Sequence, residues 1–234
     1  MHVMLIVVAL AIAIVMHELA HGIVAYWLGD YTARWAGRLT LNPAKHIDKT
    51  GSIVVPLVLA VGQLLTLGRI AFLYGWAKPV PVNPVNLRIG SYRNTRRLMA
   101  IVAAAGPMMN FVLAMVGGLA IHAAVAMQSI QLLDFLAYFI QINLLLGLFN
   151  LIPLPPMDGG RIAVGVLPLS MAVKLAQAEK FGIAAVLLVL FVLPLALQQL
   201  GIRFDPFRDV IGVVLPAAER IVLVLTGNGV GTGY

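Results

Sequence analysis

The chain has 234 residues, 61% of them hydrophobic and 11% charged, with a formal net charge of +7. Soluble domains carry roughly 25% charged residues, so a water-soluble globule is excluded and most of the surface must face lipid or the inside of a membrane bundle. The lack of cysteine excludes disulfides, thiolate metal sites and cysteine nucleophiles, and a positive balance carried by loop Lys and Arg points to membrane orientation rather than to nucleic acid.

Residues 3–28 form the first apolar stretch. It has no basic leader or clear cleavage site, so a retained span is predicted. Residues 29–50 are polar, with Arg34, Arg38, Lys45 and Lys49, and the run Arg38-Leu39-Thr40-Leu41 predicts a short extended element. Residues 53–73 are apolar but contain Pro56, Gly62, Gln63 and Gly68. Residues 74–97 form a loop in which Pro79, Pro81 and Pro84 exclude helix, made basic by Lys78, Arg88, Arg93, Arg96 and Arg97. The positive-inside rule puts both loops in the cytoplasm. Segment 53–73 is then expected to enter and leave on one face, which is tolerated where protein or a water-filled cavity covers it; the alternative is an ordinary span with a positive loop outside.

Two long apolar stretches follow, 98–127 and 132–152. The second ends at Pro153 and leads into Pro155-Pro156-Met157-Asp158-Gly159-Gly160-Arg161, then an amphipathic piece to Lys180. Residues 181–198 could span. Pro216, Glu219 and Arg220 interrupt 209–226, which reads as interfacial, and the Gly-rich end Gly227–Tyr234 reads as loose. The expected fold is an all-α polytopic membrane protein. It has about 4–6 transmembrane helices at about 20 residues per crossing, a small membrane-associated β element and a re-entrant segment. A core over 1–170 is followed by C-terminal transmembrane or interfacial helices over 171–234.

The chemistry starts in the first stretch, at His17-Glu18-Leu19-Ala20-His21. Histidines four apart on a helix share one face, one turn apart, which suits two corners of a tetrahedral zinc site. Glu18 can lie beside the metal and take a proton from water. Polar groups in an apolar helix are expensive and usually functional. A catalytic zinc wants a third protein ligand, here His, Asp or Glu. Asp30, Asp48, Asp205 and Asp209 lie in loops or at segment ends, Asp134 suits a helix cap, and Glu179 and Glu219 neighbour basic residues. Asp158 instead follows a full apolar span and precedes glycines that let backbone come close. Asn150 reads either as a donor to an oxyanion or substrate backbone or as a helix–helix hydrogen bond. Asn110 invites the same two readings, with packing across from Gly106 favoured, and Asn143 gives no preference. His2, His46 and His122 read as structural or solvated.

Three motifs together resemble the site-2 proteases, intramembrane zinc proteases that cut transmembrane segments. They are His17-Glu18-Leu19-Ala20-His21-Gly22, Gly106-Pro107-Met108-Met109-Asn110, and Asn150-Leu151-Ile152-Pro153-Leu154-Pro155-Pro156-Met157-Asp158-Gly159-Gly160. Gly75-Trp76-Ala77-Lys78-Pro79-Val80-Pro81 resembles a compact prokaryotic branch without PDZ or CBS domains. The resemblance implies one catalytic zinc on His17, His21 and Asp158, with Glu18 as base. It implies that Asn150 assists at the oxyanion or, with Asn110, in substrate binding. It also implies a multi-pass protein of a prokaryotic inner membrane, acting on transmembrane protein substrates in the bilayer. An unwound substrate would find an edge to pair with in the 29–50 region. Oligomeric state has no signal in the sequence. An inactive client-binding relative and a zinc transporter are the competing readings. Every expected ligand and the base are present, and the apolar spans offer few ionisable groups for a second polar path.

Overall fold

The apolar run after Met1 winds into helix α1 (His2–Trp27), 26 residues long, or about 39 Å at about 1.5 Å per residue. That exceeds a hydrocarbon core of about 30 Å. The computed structural model describes residues 1–68, 75–88, 94–188, 192–201 and 204–229. After α1 come α2 (Thr32–Trp35), a turn at Pro43–His46, a π-helical turn at Lys49–Val54 and α3 (Val55–Leu67). A further turn at Pro84–Asn86 precedes α4 (Thr95–Ala126) and α5 (Ile130–Asn150). The chain ends in α6 (Asp158–Val166), α7 (Leu169–Leu187), α8 (Leu193–Gln199) and α9 (Pro206–Leu225).

Helix α4 is the hub, packed against α1, α5, α6 and α9. Its start is fixed by Asn94, whose side chain accepts from the Arg97 amide, and that of α5 by Ser129, which accepts from Leu132. Such caps satisfy amides that a helix end leaves without partners. On α1 the buried residues Ala9, Ala13, His17, His21 and Ala25 recur every fourth position, so they form one stripe. Small side chains in that stripe let a neighbouring backbone come close. The facing surface of α4 buries Val102, Ala103, Gly106, Asn110 and Ala114. Both histidines therefore lie in a protein–protein seam. Two apolar clusters pack the bundle. One joins Ala25, Leu28, Leu87, Leu98 and Val102, and the other Ala114, Ile140, Leu144 and Val222.

Two expectations are corrected. Among the described residues no strand occurs, so the small β element is absent. At 38–41 the polar groups go elsewhere: the Arg38 amide bonds the Ala33 carbonyl at 2.9 Å, and the Thr40 carbonyl meets His46 Nε2 at 2.9 Å. A four-residue alternation with no partner ladder does not make a strand, and the proposed edge for substrate goes with it. The second correction is the span count. Among the described residues three helices, α1, α4 and α5, are long and apolar enough to cross, against the expected 4–6.

Segment 53–73 yields α3, 13 residues or about 20 Å, shorter than the hydrocarbon core. Residues 69–74 lie outside the described set. At its flanks the Trp76 amide bonds the Gly51 carbonyl at 3.2 Å and Ser52 Oγ donates to the Trp76 carbonyl at 2.9 Å, so the chain is back beside its departure point by residue 76. The 181–198 stretch divides between α7 and α8, with 189–191 outside the described residues. The stretch 209–226 becomes α9, which starts at a Pro and carries Arg208, Asp209, Glu219 and Arg220. The tail expected to be loose lies outside the described residues from 230 on, as do residues 89–93 of the basic loop.

Candidate metal centre and active site

His17, His21 and Asp158 meet in the seam between α1, α4 and the start of α6. Asp158 Oδ2 is 3.1 Å from His17 Nε2 and 3.2 Å from His21 Nε2, and the two Nε2 atoms are 3.1 Å apart. All three residues are buried. Glu18, one position along α1, is half-buried and outside this cluster.

The rest of each imidazole is fixed by its second nitrogen. Asn110 Nδ2 donates to the Ala13 carbonyl at 3.3 Å and to Asn143 Oδ1 at 2.9 Å, which leaves Asn110 Oδ1 as an acceptor. His17 Nδ1 is 2.6 Å from that oxygen and must donate. His21 Nδ1 is 2.7 Å from the Val102 carbonyl and must donate too. In its neutral form each ring therefore carries the proton on Nδ1 and turns the Nε2 lone pair toward Asp158. This is the arrangement in which an outer hydrogen bond sets the tautomer of a metal-binding histidine. Asn143 is itself held, donating to the Phe139 carbonyl at 2.8 Å. Thus α5 fixes Asn143, which fixes Asn110, which fixes His17.

Gly106 makes room for the pair. A Cβ there would lie 2.6 Å from His17 Nε2 and closer still to His21 Nε2. Asp158 is brought in by a tight reversal after α5. A Cβ on Gly159 would run into the Leu151 and Ile152 carbonyls, so the chain folds back over its own backbone only with glycine at that point.

Glu18 has a partner from the basic loop: the Val80 amide donates to Glu18 Oε2 at 2.8 Å. Asn150 lies at the C-terminal end of α5, half-buried, with Nδ2 donating to the Leu146 carbonyl of its own helix at 3.0 Å. Asn110 has no exposed surface and stands behind His17 rather than in an open cleft. Sequence reasoning left Asn143 undecided and missed two further participants, the Val102 carbonyl and the Val80 amide. Asn143 was visible as a polar residue in an apolar span. The other two are backbone groups, and only the proline on each side of Val80 hinted that its amide stood alone.

A model of peptidase family M50 matches residues 115–194. YwhC of Bacillus subtilis, named as a candidate zinc metalloprotease, is 41% identical over 210 residues, which is 87% of each chain. The chain belongs to peptidase family M50. Rip2 of Mycolicibacterium smegmatis, named likewise, is 30% identical over 194 residues, 80% of this chain and 66% of its own. Rip2 of Mycobacterium tuberculosis H37Rv is 26% identical over 184 residues, 78% of this chain and 64% of its own. No solved structure matches the chain. The protein is accordingly a site-2-type metalloprotease of the membrane, with zinc as cofactor.

The donor set fits that metal. An ion about 2.0–2.1 Å from imidazole nitrogen and carboxylate oxygen has tetrahedral edges of about 3.3–3.4 Å. The observed edges are 3.1–3.2 Å. With both rings neutral, two lone pairs and a carboxylate oxygen at that spacing repel one another unless a metal ion or a proton lies among them.

Proposed function

We propose that His17, His21 and Asp158 hold the zinc and that Glu18 is the general base of an intramembrane endopeptidase. The observation that carries this reading is the triangle of Nε2, Nε2 and Oδ2 atoms with edges of 3.1–3.2 Å. Three protein ligands leave a fourth position for the reaction. Zinc, when bound there, supplies a Lewis acid that acidifies water and polarises a carbonyl.

The chain's own residues do the rest. Glu18 takes the proton of the attacking water and later gives it to the leaving amine. With Oε2 held by the Val80 amide, the proton travels through Oε1. Asn110 and Asn143 keep His17 in one tautomer and one orientation. Asn150 sits eight residues before Asp158 at the rim of α5. Its hydrogen bond to Leu146 is one that a change of side-chain torsion gives up. It is assigned the amide that meets the substrate carbonyl or its oxyanion.

The substrates proposed are transmembrane segments of other membrane proteins, in a prokaryotic inner membrane that this chain crosses several times. Three apolar helices of spanning length and a metal cluster on the first of them support this. A helical substrate must unwind before cleavage, because its carbonyls are bonded within the helix.

The test is purified protein and a single-span protein that the wild type cuts. Glu18→Gln is expected to keep its zinc and lose cleavage. Asp158→Ala is expected to lose both. Normal cleavage by Glu18→Gln would remove the mechanism.

A further inference from the structure

The loop that reaches Glu18 is anchored at its other end by a buried carboxylate. Asp30 stands three residues past α1 and has no exposed surface. Its Oδ1 accepts from the Thr32 amide at 3.1 Å, from Thr32 Oγ1 at 2.5 Å and from Asn86 Nδ2 at 3.0 Å. Its Oδ2 accepts from the Asn83 amide at 2.6 Å. Two of these four donors belong to the 75–88 segment. The same stretch is tied down by the Arg88 amide, 2.7 Å from the Leu28 carbonyl, and by Leu87, fully buried against Ala25, Leu28, Leu98 and Val102.

Between that anchor and the active site lie Val80, Pro81 and Val82. Pro79, Pro81 and Pro84 fix φ along this stretch and leave few conformations open. Position set at Asn83 is therefore transmitted to Val80. Val80 is 7% exposed, with a side chain near enough to Gly22 that a Cβ there would come within 3.1 Å of it. Its amide is the only one in 79–81, because proline has none. That amide goes to Glu18 Oε2.

We infer that Asp30 is a positioning residue for catalysis: it clamps the proline-rich strap so that the Val80 amide holds the Glu18 carboxylate in its working orientation. The inference rests on the reading of Glu18 as the base. A carboxylate free to rotate loses the alignment on which proton transfer depends, while the three zinc ligands, two on α1 and one on α6, stay where they are.

Amide exchange read by mass spectrometry tests the strap directly, with or without zinc. A peptide over 79–81 reports one amide. It is expected to exchange slowly in the wild type and roughly tenfold or more faster, as fits a lost native hydrogen bond, in Asp30→Asn and in Glu18→Ala. Unchanged exchange in Asp30→Asn overturns the proposal.

Activity gives the second readout. Asp30→Asn is expected to lower kcat about tenfold or more with KM and zinc content unchanged. Val80→Pro, compared with Val80→Ala to subtract the lost side chain, removes the amide itself and is expected to do the same. Asp30→Asn added to Val80→Pro should then cost nothing further, since both act through one bond. If the two losses multiply, Asp30 acts some other way and the proposal fails. Should Asp30→Asn not accumulate, Asn86→Ala removes one of the four donors, and an unchanged kcat there counts against the proposal in the same way. A dead Glu18→Gln beside a fully active Asp30→Asn overturns the positioning role alone. An active Glu18→Gln removes the base on which it rests.

Discussion

Asn110 Oδ1 lies 2.6 Å from His17 Nδ1, so a residue on the central helix decides which nitrogen of a first-helix histidine is bare. Removing it takes the acceptor from that buried N–H and the donor from Asn143 Oδ1. Outer hydrogen bonds of this kind are worth roughly 10–100-fold in metal affinity. Asn110→Ala is therefore expected to weaken zinc binding by about that factor, measured by competition with a chelator of known affinity. Asn143→Ala, one bond further out, should weaken it less. Equal affinity in Asn110→Ala and wild type would show that the ring is held by packing alone.

How much of this was legible depends on what kind of group carries it. His17, Glu18 and His21 were readable because helical spacing alone puts the two imidazoles on one face. Asp158 was readable because a carboxylate after a full apolar span, followed by two glycines, has few bland explanations. The helix that brings Asn110 to His17 could be placed, but not its rotation, so substrate contact and packing stayed open. The Val102 carbonyl and the Val80 amide reach histidine and glutamate across 81 and 62 residues of sequence, and backbone groups leave no trace in residue type. The β expectation at 38–41 failed for the opposite reason. Local alternation was real, but the Arg38 amide found its partner in a turn and the Thr40 carbonyl in a histidine. The span count failed because apolar content does not measure unbroken helix length.

Gly106 and Gly62 are both glycines inside helices, and they should respond oppositely to alanine. Alanine is favoured over glycine in a helix by about 1 kcal/mol. At Gly62 a Cβ meets nothing within 4 Å, so Gly62→Ala is expected to raise the melting temperature by a few degrees. At Gly106 the Cβ would intrude on both imidazoles, which are anchored at Nδ1 and cannot retreat. Gly106→Ala is expected to lose zinc binding despite the helix preference. Bound metal per chain and thermal melting, measured on both variants, separate the two effects. Full zinc occupancy in Gly106→Ala would mean that α1 and α4 can part without disturbing the site.

Asp30 gives the strap a pH dependence with a defined sign. Burial alone would raise its pKa, but the bonds from Thr32, Asn86 and the Asn83 amide outweigh burial and hold the carboxyl below its ordinary value. A carboxyl with a lowered folded value stabilises the fold fully above the unfolded value of about 3.9. That contribution fades as pH falls through the folded value. None of its four donors titrates in that range. Protection of the Asn83 amide, corrected for intrinsic exchange, is expected to be flat near neutrality and to drop only below the ordinary carboxylate range. Asp30→Asn should show low protection throughout. A drop centred near pH 6–7, where histidines titrate, would mean that another group controls the strap.

Zinc should stabilise the fold, and Asp158 should decide whether it does. A ligand that binds only the folded state stabilises it by about 2.7 kcal/mol at a hundredfold excess over its dissociation constant. Stripping the metal also leaves two Nε2 atoms and a carboxylate oxygen within 3.1–3.2 Å of one another, where only a proton can replace the ion. Chelation of the detergent-solubilised wild type is therefore expected to lower its melting temperature, and added zinc to restore it. Glu18→Gln keeps all three ligands and should respond as the wild type does. Asp158→Ala keeps the two histidines but lacks the oxygen that closes the triangle, and its melting temperature should change little with zinc. If Asp158→Ala gains as much from zinc as the wild type, the third ligand is another residue, and the fold-back at Gly159 serves packing instead of the metal.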